Sequence, residues 1–276
     1  MNIDLHCHSN VSDGALPPAE VARRAARSGV EVWALTDHDQ LAGLEQARAA
    51  ARDAGMRFID GVEISVTWRG STIHVVGLRI DPADAVLAGG LARVRGGRIE
   101  RARRMAQELK DAGIDGAFDG ALRHAENPAM VSRTHFARYL AEIGAVDEMK
   151  DAFRRYLVPG KPGYVPHQWA VLADAVGWIR GAGGEAVLAH PGRYGLSAAV
   201  MDALLAEFRA AGGEAIEVVT GSHSPEQYRH FGALAMHQGF AASRGSDFHG
   251  PQEGAEFGTL PPLDPALRPV WRDWAL

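Results

Sequence analysis

Histidine and carboxylate side chains stand directly after short apolar runs at several places along this chain. Imidazole nitrogens and carboxylate oxygens are ligands that proteins offer to divalent transition-metal ions. Because the set exceeds what one ion needs, the pattern predicts two or three divalent ions that share a bridging carboxylate. The nine candidate ligands are His6, His8, Asp13, His38, Glu63, His74, His190, Asp247 and His249.

The donor set also limits the identity of the metal. It contains no cysteine, which disfavours a soft thiolate site, and its many imidazoles suit Mn²⁺, Zn²⁺ or Fe²⁺ better than Mg²⁺. We take Mn²⁺ as the first candidate. Taken singly, each donor has an ordinary explanation: His74 as a core histidine, Asp13 as a turn residue, Glu63 as an exposed strand end and Asp247 as a cap. Their recurrence after successive strands favours a shared site.

The other polar residues near this pattern have expected supporting roles. Cys7 lies between His6 and His8 on a predicted strand, so its side chain points away from theirs and is expected to be buried. Three aspartates are expected to orient ligating imidazoles by hydrogen bonding, namely Asp4, Asp37 and Asp39. Ordinary surface or packing roles are expected for His124, His167, His223, His230 and His237.

Alternating strands and helices must position these donors. Strands are predicted over 2–6, 31–35, 57–62, 72–76, 185–189, 214–219 and 240–244, and helices over 18–28, 41–54, 169–182, 198–211 and 225–238. A turn at 68–71 suits a hairpin between the third and fourth strands. Seven strands with helices mostly between them indicate a barrel-like α/β domain, which gathers its functional residues where the strands end.

One segment interrupts this alternation. Residues 92–160 are rich in Ala, Arg, Glu and Leu with helical spacing and contain no good strand. We interpret them as a helical insertion that covers the active site, with residues 1–91 and 161–276 forming the metal-binding barrel. The alternative is a stabilising outgrowth without substrate contacts.

Bulk properties describe an ordinary globular chain. Its 276 residues are 46% hydrophobic and carry a formal charge of −5, which disfavours binding to long nucleic acids but allows short oligonucleotides. No apolar stretch reaches the roughly 18 residues of a membrane helix, and the N-terminus lacks a signal-peptide pattern. The single cysteine excludes an internal disulfide. We expect a soluble cytoplasmic protein that needs no membrane and no obligate protein partner.

Four ordered motifs resemble those of the polymerase and histidinol phosphatase (PHP) superfamily: His6-Cys7-His8, Thr36-Asp37-His38-Asp39, His190-Pro191 and Ser246-Asp247-Phe248-His249. The resemblance implies a distorted seven-stranded β/α barrel, similar to a TIM barrel, with a multinuclear metal centre that hydrolyses phosphoesters. It implies three groups of ligands. The first is His6, His8, Glu63 and Asp247; the second is Glu63, His74 and His190; the third is Asp13, His38 and His249.

The insertion and the segment Ser132–Phe136 resemble one branch of this superfamily. That branch implies hydrolysis of nucleoside 3',5'-bisphosphates, such as adenosine 3',5'-bisphosphate, to the 5'-monophosphate and phosphate. Such an enzyme is a phosphoric monoester hydrolase whose partner is a nucleotide.

Specific roles follow as hypotheses for a metal-activated water that attacks phosphorus. Glu63 and Asp247 hold the catalytic ions, and Arg133 and Arg193 bind phosphate oxygens as guanidinium forks. His135 protonates the leaving oxygen or holds a non-reacting phosphate. Two weaker candidates are Lys161 for phosphate binding and Tyr164 for base stacking, the latter being equally compatible with packing.

Other functions remain open from the sequence. The nearest are histidinol phosphate phosphatase and a 5'-to-3' exonuclease acting on short RNA or DNA. A non-catalytic barrel with structural metals is disfavoured by the complete ligand set. An amidohydrolase is disfavoured by the terminal Ser-Asp-x-His motif.

Overall fold

A computed structural model describes residues 1–276 of the chain as a seven-stranded sheet surrounded by helices. The strands are β1 (Ile3–Asp4), β2 (Val32–Leu35), β3 (Arg57–Trp68), β4 (Ser71–Leu78), β5 (Glu185–Leu188), β6 (Ala215–Thr220) and β7 (Ala241–Gly245). The helices are α1 (Pro18–Arg27), α2 (Leu44–Asp53), α3 (Ala85–Arg95), α4 (Arg98–Asp111), α5 (Ala117–Arg123), α6 (Arg133–Glu142), α7 (Met149–Ala152), α8 (Leu172–Gly181), α9 (Ala198–Ala210) and α10 (Pro225–Gln238). Short 3₁₀ turns at Pro128–Met130 and Pro191–Tyr194, and a π-helical turn at Phe153–Leu157, complete the set.

The sheet closes into a distorted barrel. Neighbouring strands follow chain order, and only β4 runs antiparallel to its neighbours. The backbone N–H of Leu5 donates to the Arg244 carbonyl at 3.0 Å, and that of Asp247 donates to the His6 carbonyl at 2.8 Å. These bonds join the segment after β1 to the end of β7, so the predicted seven-stranded β/α barrel is confirmed.

Apolar side chains fill the barrel on both sides of the sheet. Ile59, Val76 and Val187 belong to a buried interior cluster that also contains Trp274 from the C-terminal segment. A larger cluster packs the outer face of the sheet against the surrounding helices. Strands buried on both faces read as apolar runs, which is why β2, β5 and β6 were recognisable from sequence.

The third and fourth strands are longer than predicted. Residues 57–60 of β3 pair with β2, and residues 61–68 continue alone into an antiparallel hairpin with β4. Along this extension Glu63 and Ser65 alternate with apolar residues, so polar side chains face one side only. Glu63 was expected at a strand end; it lies within β3, just after the strand leaves β2. The predicted hairpin turn is present, with Arg69 and Gly70 at φ 47° and 80°, as a two-residue I′ turn requires.

The helical segment has a hydrophobic core of its own. This core is built from α4 to α7 and includes Met105, Leu109, Phe136 and Leu140, all nearly inaccessible to solvent. The preceding helix α3, which the sequence did not predict as a separate element, instead packs on the barrel. The buried apolar cluster of this segment includes residues from Ala102 to Val165.

Candidate metal centre and adjoining cleft

The nine predicted donors lie at one end of the barrel. His6 and His8 follow β1, His38 follows β2, and His190 follows β5. The others reach the same rim from the loop after β1, from the β3–β4 hairpin and from the segment after β7; they are Asp13, Glu63, His74, Asp247 and His249. The structure therefore brings together every residue predicted to bind metal.

Four of these donors converge on one point. His6 Nε2 and His8 Nε2 are 3.2 Å apart and lie 3.5 and 3.2 Å from Asp247 Oδ1. Each is also 3.4 Å from an oxygen of Glu63. Four ligands about 2.1 Å from a tetrahedral ion lie about 3.4 Å from one another, so these separations fit a shared cation.

Glu63 connects this group to a second one. Its Oε1 is 2.9 Å from His74 Nδ1 and 3.0 Å from His190 Nε2. Its Oε2 is 2.8 Å from His38 Nδ1, yet neither of these two atoms has a hydrogen-bonding partner of acceptable geometry. Both atoms are buried and close together, yet no hydrogen bond joins them. This arrangement suits coordination of one metal ion by both atoms. Glu63 is thus the geometric centre of the rim.

The third group surrounds Asp13. Asp13 Oδ1 is 3.5 Å from His249 Nε2, and Oδ2 is 3.9 Å from His38 Nε2. His8 approaches the same group, with Nδ1 4.0 Å from Asp13 Oδ1. The three ligand groups implied by the family resemblance are therefore close in space, with His8 adjoining both the first and the third.

Unsatisfied buried atoms test whether the rim fits metal ions. Burying a polar atom without a partner costs free energy, so such atoms are rare in folded proteins. Five atoms of the predicted ligand residues are buried without any hydrogen bond: His8 Nδ1, Asp13 Oδ1, His38 Nδ1, Glu63 Oε2 and His190 Nδ1. Together with the mixed nitrogen and oxygen donors, they fit several divalent cations.

Electrostatics put the carboxylates and two of the imidazoles of this set in the form that binds cations. Burial opposes ionisation of Asp13, Glu63 and Asp247, but the surrounding imidazoles outweigh it and hold the pKa of all three carboxyls well below the usual range. Burial lowers the pKa of His74 and of His249 to about 4. At neutral pH the carboxylates are therefore charged and these two imidazoles are neutral, the forms that coordinate metal. For His6 and His38 the neighbouring carboxylates outweigh burial and raise the pKa, to about 9 for His38, so a metal must displace a proton from each.

Glu217 supports two ligands and was missed by sequence reasoning. This fully buried carboxylate on β6 places Oε1 2.8 Å from His6 Nδ1 and accepts the His190 backbone N–H with Oε2 at 2.6 Å. The first contact holds the proton on Nδ1 and leaves His6 Nε2 free for a metal. The second helps to hold His190 at φ 27°, a backbone conformation that is strained for any residue except glycine. A carboxylate inside an apolar strand was the available clue.

The three aspartates that were expected to orient imidazoles instead bind backbone N–H groups, hydroxyl groups and an arginine near the rim. Asp4 accepts the backbone N–H of Ser246 at 3.0 Å, and Asp37 accepts bonds from the backbone and hydroxyl of Ser9 at 2.8 and 2.6 Å. Asp39 accepts the backbone N–H of Ser65 and pairs with Arg98. None of the three hydrogen-bonds a ring nitrogen. The prediction was wrong because the short loops at the rim need side-chain acceptors for their own N–H and hydroxyl groups.

The insertion is fastened to the metal rim at the start of α6. Ser132 Oγ and Thr134 Oγ1 both donate to Asp13 Oδ2, at 3.1 and 2.9 Å. Arg138 donates to the Asp13 backbone carbonyl at 2.8 Å and forms a paired contact with Glu253. The insertion therefore holds Oδ2 of Asp13, and Oδ1 faces His8 and His249.

The structure places His135 away from its expected catalytic position. His135 is 1% exposed, and its Nδ1 accepts the backbone N–H of Ser132 as part of a capping box for α6. It is absent from the lining of the cleft beside the metal rim. Its location is that of a residue that positions Ser132. Lys161 is exposed and also lies outside the cleft lining.

A small cleft of about 70 Å³ opens beside the rim, and arginines line it. Arg133 and Arg193, both predicted, are joined by Arg98 and Arg101 from α4, which sequence reasoning missed. The guanidinium groups of Arg98 and Arg101 lie 4.7 and 5.3 Å from the ring centre of Trp169. This cleft combines a ring of cations with the acidic metal rim.

Two of these arginines lack a counter-ion. Arg98 pairs with Asp39, and Arg193 Nη1 is 2.9 Å from Asp247 Oδ2. Arg101 and Arg133 donate only to backbone carbonyls, at 2.9 and 3.4 Å. Burial and the repulsion of neighbouring arginines lower the pKa of Arg101 to about 9, and burial likewise lowers that of Arg133. An anion bound in the cleft would stabilise the charged form of both guanidinium groups.

The remaining histidines have the ordinary roles that were expected. His223 is buried, where it accepts the Gly192 backbone N–H at 2.9 Å and contacts the Val218 carbonyl at 3.1 Å. His124 pairs with Glu142 on the surface, and His167 packs against Trp169.

Comparison with known proteins agrees with this geometry. The family model described as PHP domain matches residues 4–88. A 3',5'-nucleoside bisphosphate phosphatase from Chromobacterium violaceum is 55% identical over 273 residues, covering 99% of this chain and 96% of the relative. The 5'-3' exoribonuclease Rnm of Escherichia coli is 42% identical, covering 98% of this chain and 93% of the relative. The chain therefore belongs to the PHP family, as its motifs predicted.

Solved structures resemble the whole molecule. One is an amidohydrolase from Chromobacterium violaceum, solved with bound sulfate and no metal, which has a TM-score of 0.96 and 55% sequence identity. The match covers 99% of this chain and 95% of that chain. A Bifidobacterium adolescentis protein assigned to the metal-dependent phosphoesterases has a TM-score of 0.80 at 27% identity, covering 98% and 93%. None of the helices combines the length and hydropathy needed to span a bilayer.

Proposed function

We propose that this protein is a metal-dependent phosphoesterase that hydrolyses nucleoside 3',5'-bisphosphates to the 5'-monophosphate and phosphate. The observation that carries the proposal is the position of Arg101 and Arg133. Arg101 is buried and Arg133 is partly buried; neither has a carboxylate partner, and both line the cleft into which the metal rim opens. A substrate with one phosphate at the rim and a second among the arginines satisfies both features.

The chain's own groups fit this reaction. Divalent ions held by the nine donors would supply a coordinated water of lowered pKa and withdraw charge from the phosphoryl oxygens. Arg193, beside Asp247, lies where it can bind an oxygen of the reacting phosphate, and Arg133 lies near it in the same cleft. Arg98 and Arg101, held against Trp169, offer planar guanidinium forks to the non-reacting phosphate.

A similar enzyme and a similar solved structure support the proposal. The Chromobacterium violaceum phosphatase matches almost the whole chain, including the insertion that carries the arginines. The similar solved structure from that organism holds a sulfate, an oxyanion like phosphate. That protein is called an amidohydrolase, but an arginine-lined cleft favours a phosphoester substrate over an amide.

A second candidate is 5'-to-3' exonuclease activity on short RNA. Exoribonucleases of Escherichia coli and Haemophilus influenzae are 42% and 40% identical to this chain over nearly its full length. A 5'-phosphorylated oligonucleotide offers the same pair of groups, a terminal phosphate for the arginines and a 3'-phosphoester for the metal rim. Histidinol phosphate has only one phosphate and leaves the arginines unused.

Four substrates separate these functions: adenosine 3',5'-bisphosphate, a 5'-phosphorylated dinucleotide, histidinol phosphate and p-nitrophenyl phosphate. We expect kcat/KM for the bisphosphate to exceed that for p-nitrophenyl phosphate at least 100-fold, as expected when a charged hydrogen-bonded group adds binding energy. Equal rates on the two would contradict the proposal, and faster cleavage of the dinucleotide would favour the exonuclease.

A variant pair tests the arginine assignment. Arg101→Gln should lower kcat/KM for the bisphosphate about 10- to 100-fold and leave that for p-nitrophenyl phosphate nearly unchanged. The matched control is Arg103→Gln, since Arg103 is exposed on the same helix and pairs only with Glu100 at 3.8 Å. Equal losses on both substrates in Arg101→Gln would remove the recognition role.

We further propose Mn²⁺ as the metal, with Zn²⁺ and Fe²⁺ as alternatives, and the cytoplasm as the location. The mixed imidazole and carboxylate donors suit these ions, and the only cysteine, Cys7, is buried as a free thiol. Reconstituting metal-free protein with each ion in turn, followed by assay on the bisphosphate, tests the first point. Cell fractionation tests the second.

A further inference from the structure

A second cavity adjoins the metal cleft, and we propose that it binds the nucleobase of the substrate; this inference rests on the proposed function. The cavity, which we call the outer cavity, has a volume of about 430 Å³. It shares six wall residues with the cleft, namely Thr72, His74, Arg133, Phe153, His190 and Arg193. A molecule with a phosphate at the metal rim can therefore extend directly into the outer cavity.

Size favours this division. The cleft of about 70 Å³ has room for phosphoryl groups but not for a nucleoside. The outer cavity falls in the range of about 300–1,000 Å³ that is typical of small-molecule sites. The bulky part of a nucleotide must leave the cleft, and the outer cavity is continuous with it across Arg133 and Arg193.

The walls of the outer cavity have the chemistry of a base-stacking site. No carboxylate lines them, and most of the larger side chains are apolar or aromatic: Phe153, which also borders the cleft, and Val158, Pro159, Tyr164 and Tyr194, which do not. Aromatic faces stack on any nucleobase with little regard to its identity. The absence of acidic side chains suits an anionic nucleotide.

Local structure holds these walls in place. Tyr194 donates its hydroxyl proton to the Ala189 carbonyl at 2.7 Å and accepts the His74 backbone N–H at 2.9 Å, so its ring cannot turn away. Phe153 begins a π-helical turn, a conformation often found at functional sites, and its ring lies 5.9 Å from the Arg133 guanidinium. The I′ turn at Gly70 closes the opposite side.

Calorimetric binding of two ligands, adenosine 5'-monophosphate and ribose 5-phosphate, isolates the contribution of the base without requiring turnover. The wild-type protein loaded with metal should bind the nucleotide at least 10-fold more tightly. Tyr164→Ala should remove most of that difference by weakening the nucleotide alone, and Tyr164→Phe should retain it. Tyr156→Ala is the matched control, because Tyr156 lies in the same region of the insertion but outside the cavity lining.

Several results would overturn the inference. One is equal binding of the two ligands by the wild type, and another is an equal loss for both in Tyr164→Ala. A third is a Tyr164→Ala defect confined to cleavage of a 5'-phosphorylated dinucleotide, which would assign the cavity to the downstream nucleotide. Failure to hydrolyse bisphosphates while the base preference persists would instead refute the proposed function and leave the base site standing.

Discussion

Replacing Glu217 by Gln tests whether the metal rim depends on this carboxylate. Glu217 contacts the His6 ring at 2.8 Å and the His190 backbone N–H at 2.6 Å, and the amide has nearly the same shape. Gln has only one oxygen to accept a hydrogen bond. If that oxygen keeps the His190 N–H, the amide N–H₂ faces His6 Nδ1 and favours the tautomer protonated on Nε2, the nitrogen aimed at the metal.

Both ways of accommodating Gln cost a similar amount. Turning the amide over restores the His6 contact but leaves the buried His190 N–H unsatisfied, at a cost of about 1–3 kcal/mol. Keeping it in place requires His6 to adopt the less favourable tautomer for metal binding. Changes to groups that orient metal ligands weaken metal binding about 10- to 100-fold, or about 1.4–2.7 kcal/mol. We therefore expect Glu217→Gln to lower Mn²⁺ affinity by that factor.

The assay is calorimetric titration of metal-free protein with Mn²⁺, together with urea unfolding of the metal-free form. Glu214→Gln is the matched control, since Glu214 lies just before β6 but is exposed and pairs with Arg180. The control should bind Mn²⁺ as the wild type does. An affinity of Glu217→Gln within threefold of the wild type, with both proteins folded, would refute the role assigned to this carboxylate.

Three further predictions concern the insertion and its attachment. Ser132→Ala combined with Thr134→Val leaves Asp13 Oδ2 without donors, so metal analysis at limiting Mn²⁺ should show about one ion fewer per chain. Asp39→Asn leaves the buried Arg98 charge uncompensated and should lower the free energy of unfolding by about 3–5 kcal/mol in urea. Leu109→Ala opens a cavity in the insertion core and should cost about 2–5 kcal/mol, measured by circular dichroism during unfolding.

The metal donors were predictable because parallel strands bring their ends to one rim. Several of the histidines and carboxylates follow an apolar run, so topology alone placed residues as distant as His6 and Asp247 side by side. Glu63 lies at the rim as predicted, although its place within β3 was not predicted. Strand boundaries failed there because the hairpin extension is polar on one face, a pattern that looked like the end of a buried strand.

Residues whose role depends on tertiary packing were harder to recognise from the sequence. Arg98 and Arg101 belong to an arginine-rich helix that also carries the exposed Arg103, so only packing distinguishes them. His135 was predicted to be catalytic because it lies in the segment Ser132–Phe136, which resembles one branch of the superfamily. The usual capping box places Glu or Gln at that position, and nothing in the sequence revealed that an imidazole takes their role here.

Asp13 contacts both the histidines of the metal rim and helix α6 of the insertion. The insertion can therefore influence metal binding as well as contact the substrate. Its Oδ1 is buried without a partner on the histidine side, and its Oδ2 accepts the hydroxyls of Ser132 and Thr134 at 3.1 and 2.9 Å. Any shift of α6 therefore changes the orientation of a metal ligand. Thermodynamic linkage is reciprocal, so a cation that fixes Asp13 must also stabilise the position of α6 and of the neighbouring Arg133. Metal affinity and substrate affinity are then coupled through one carboxylate.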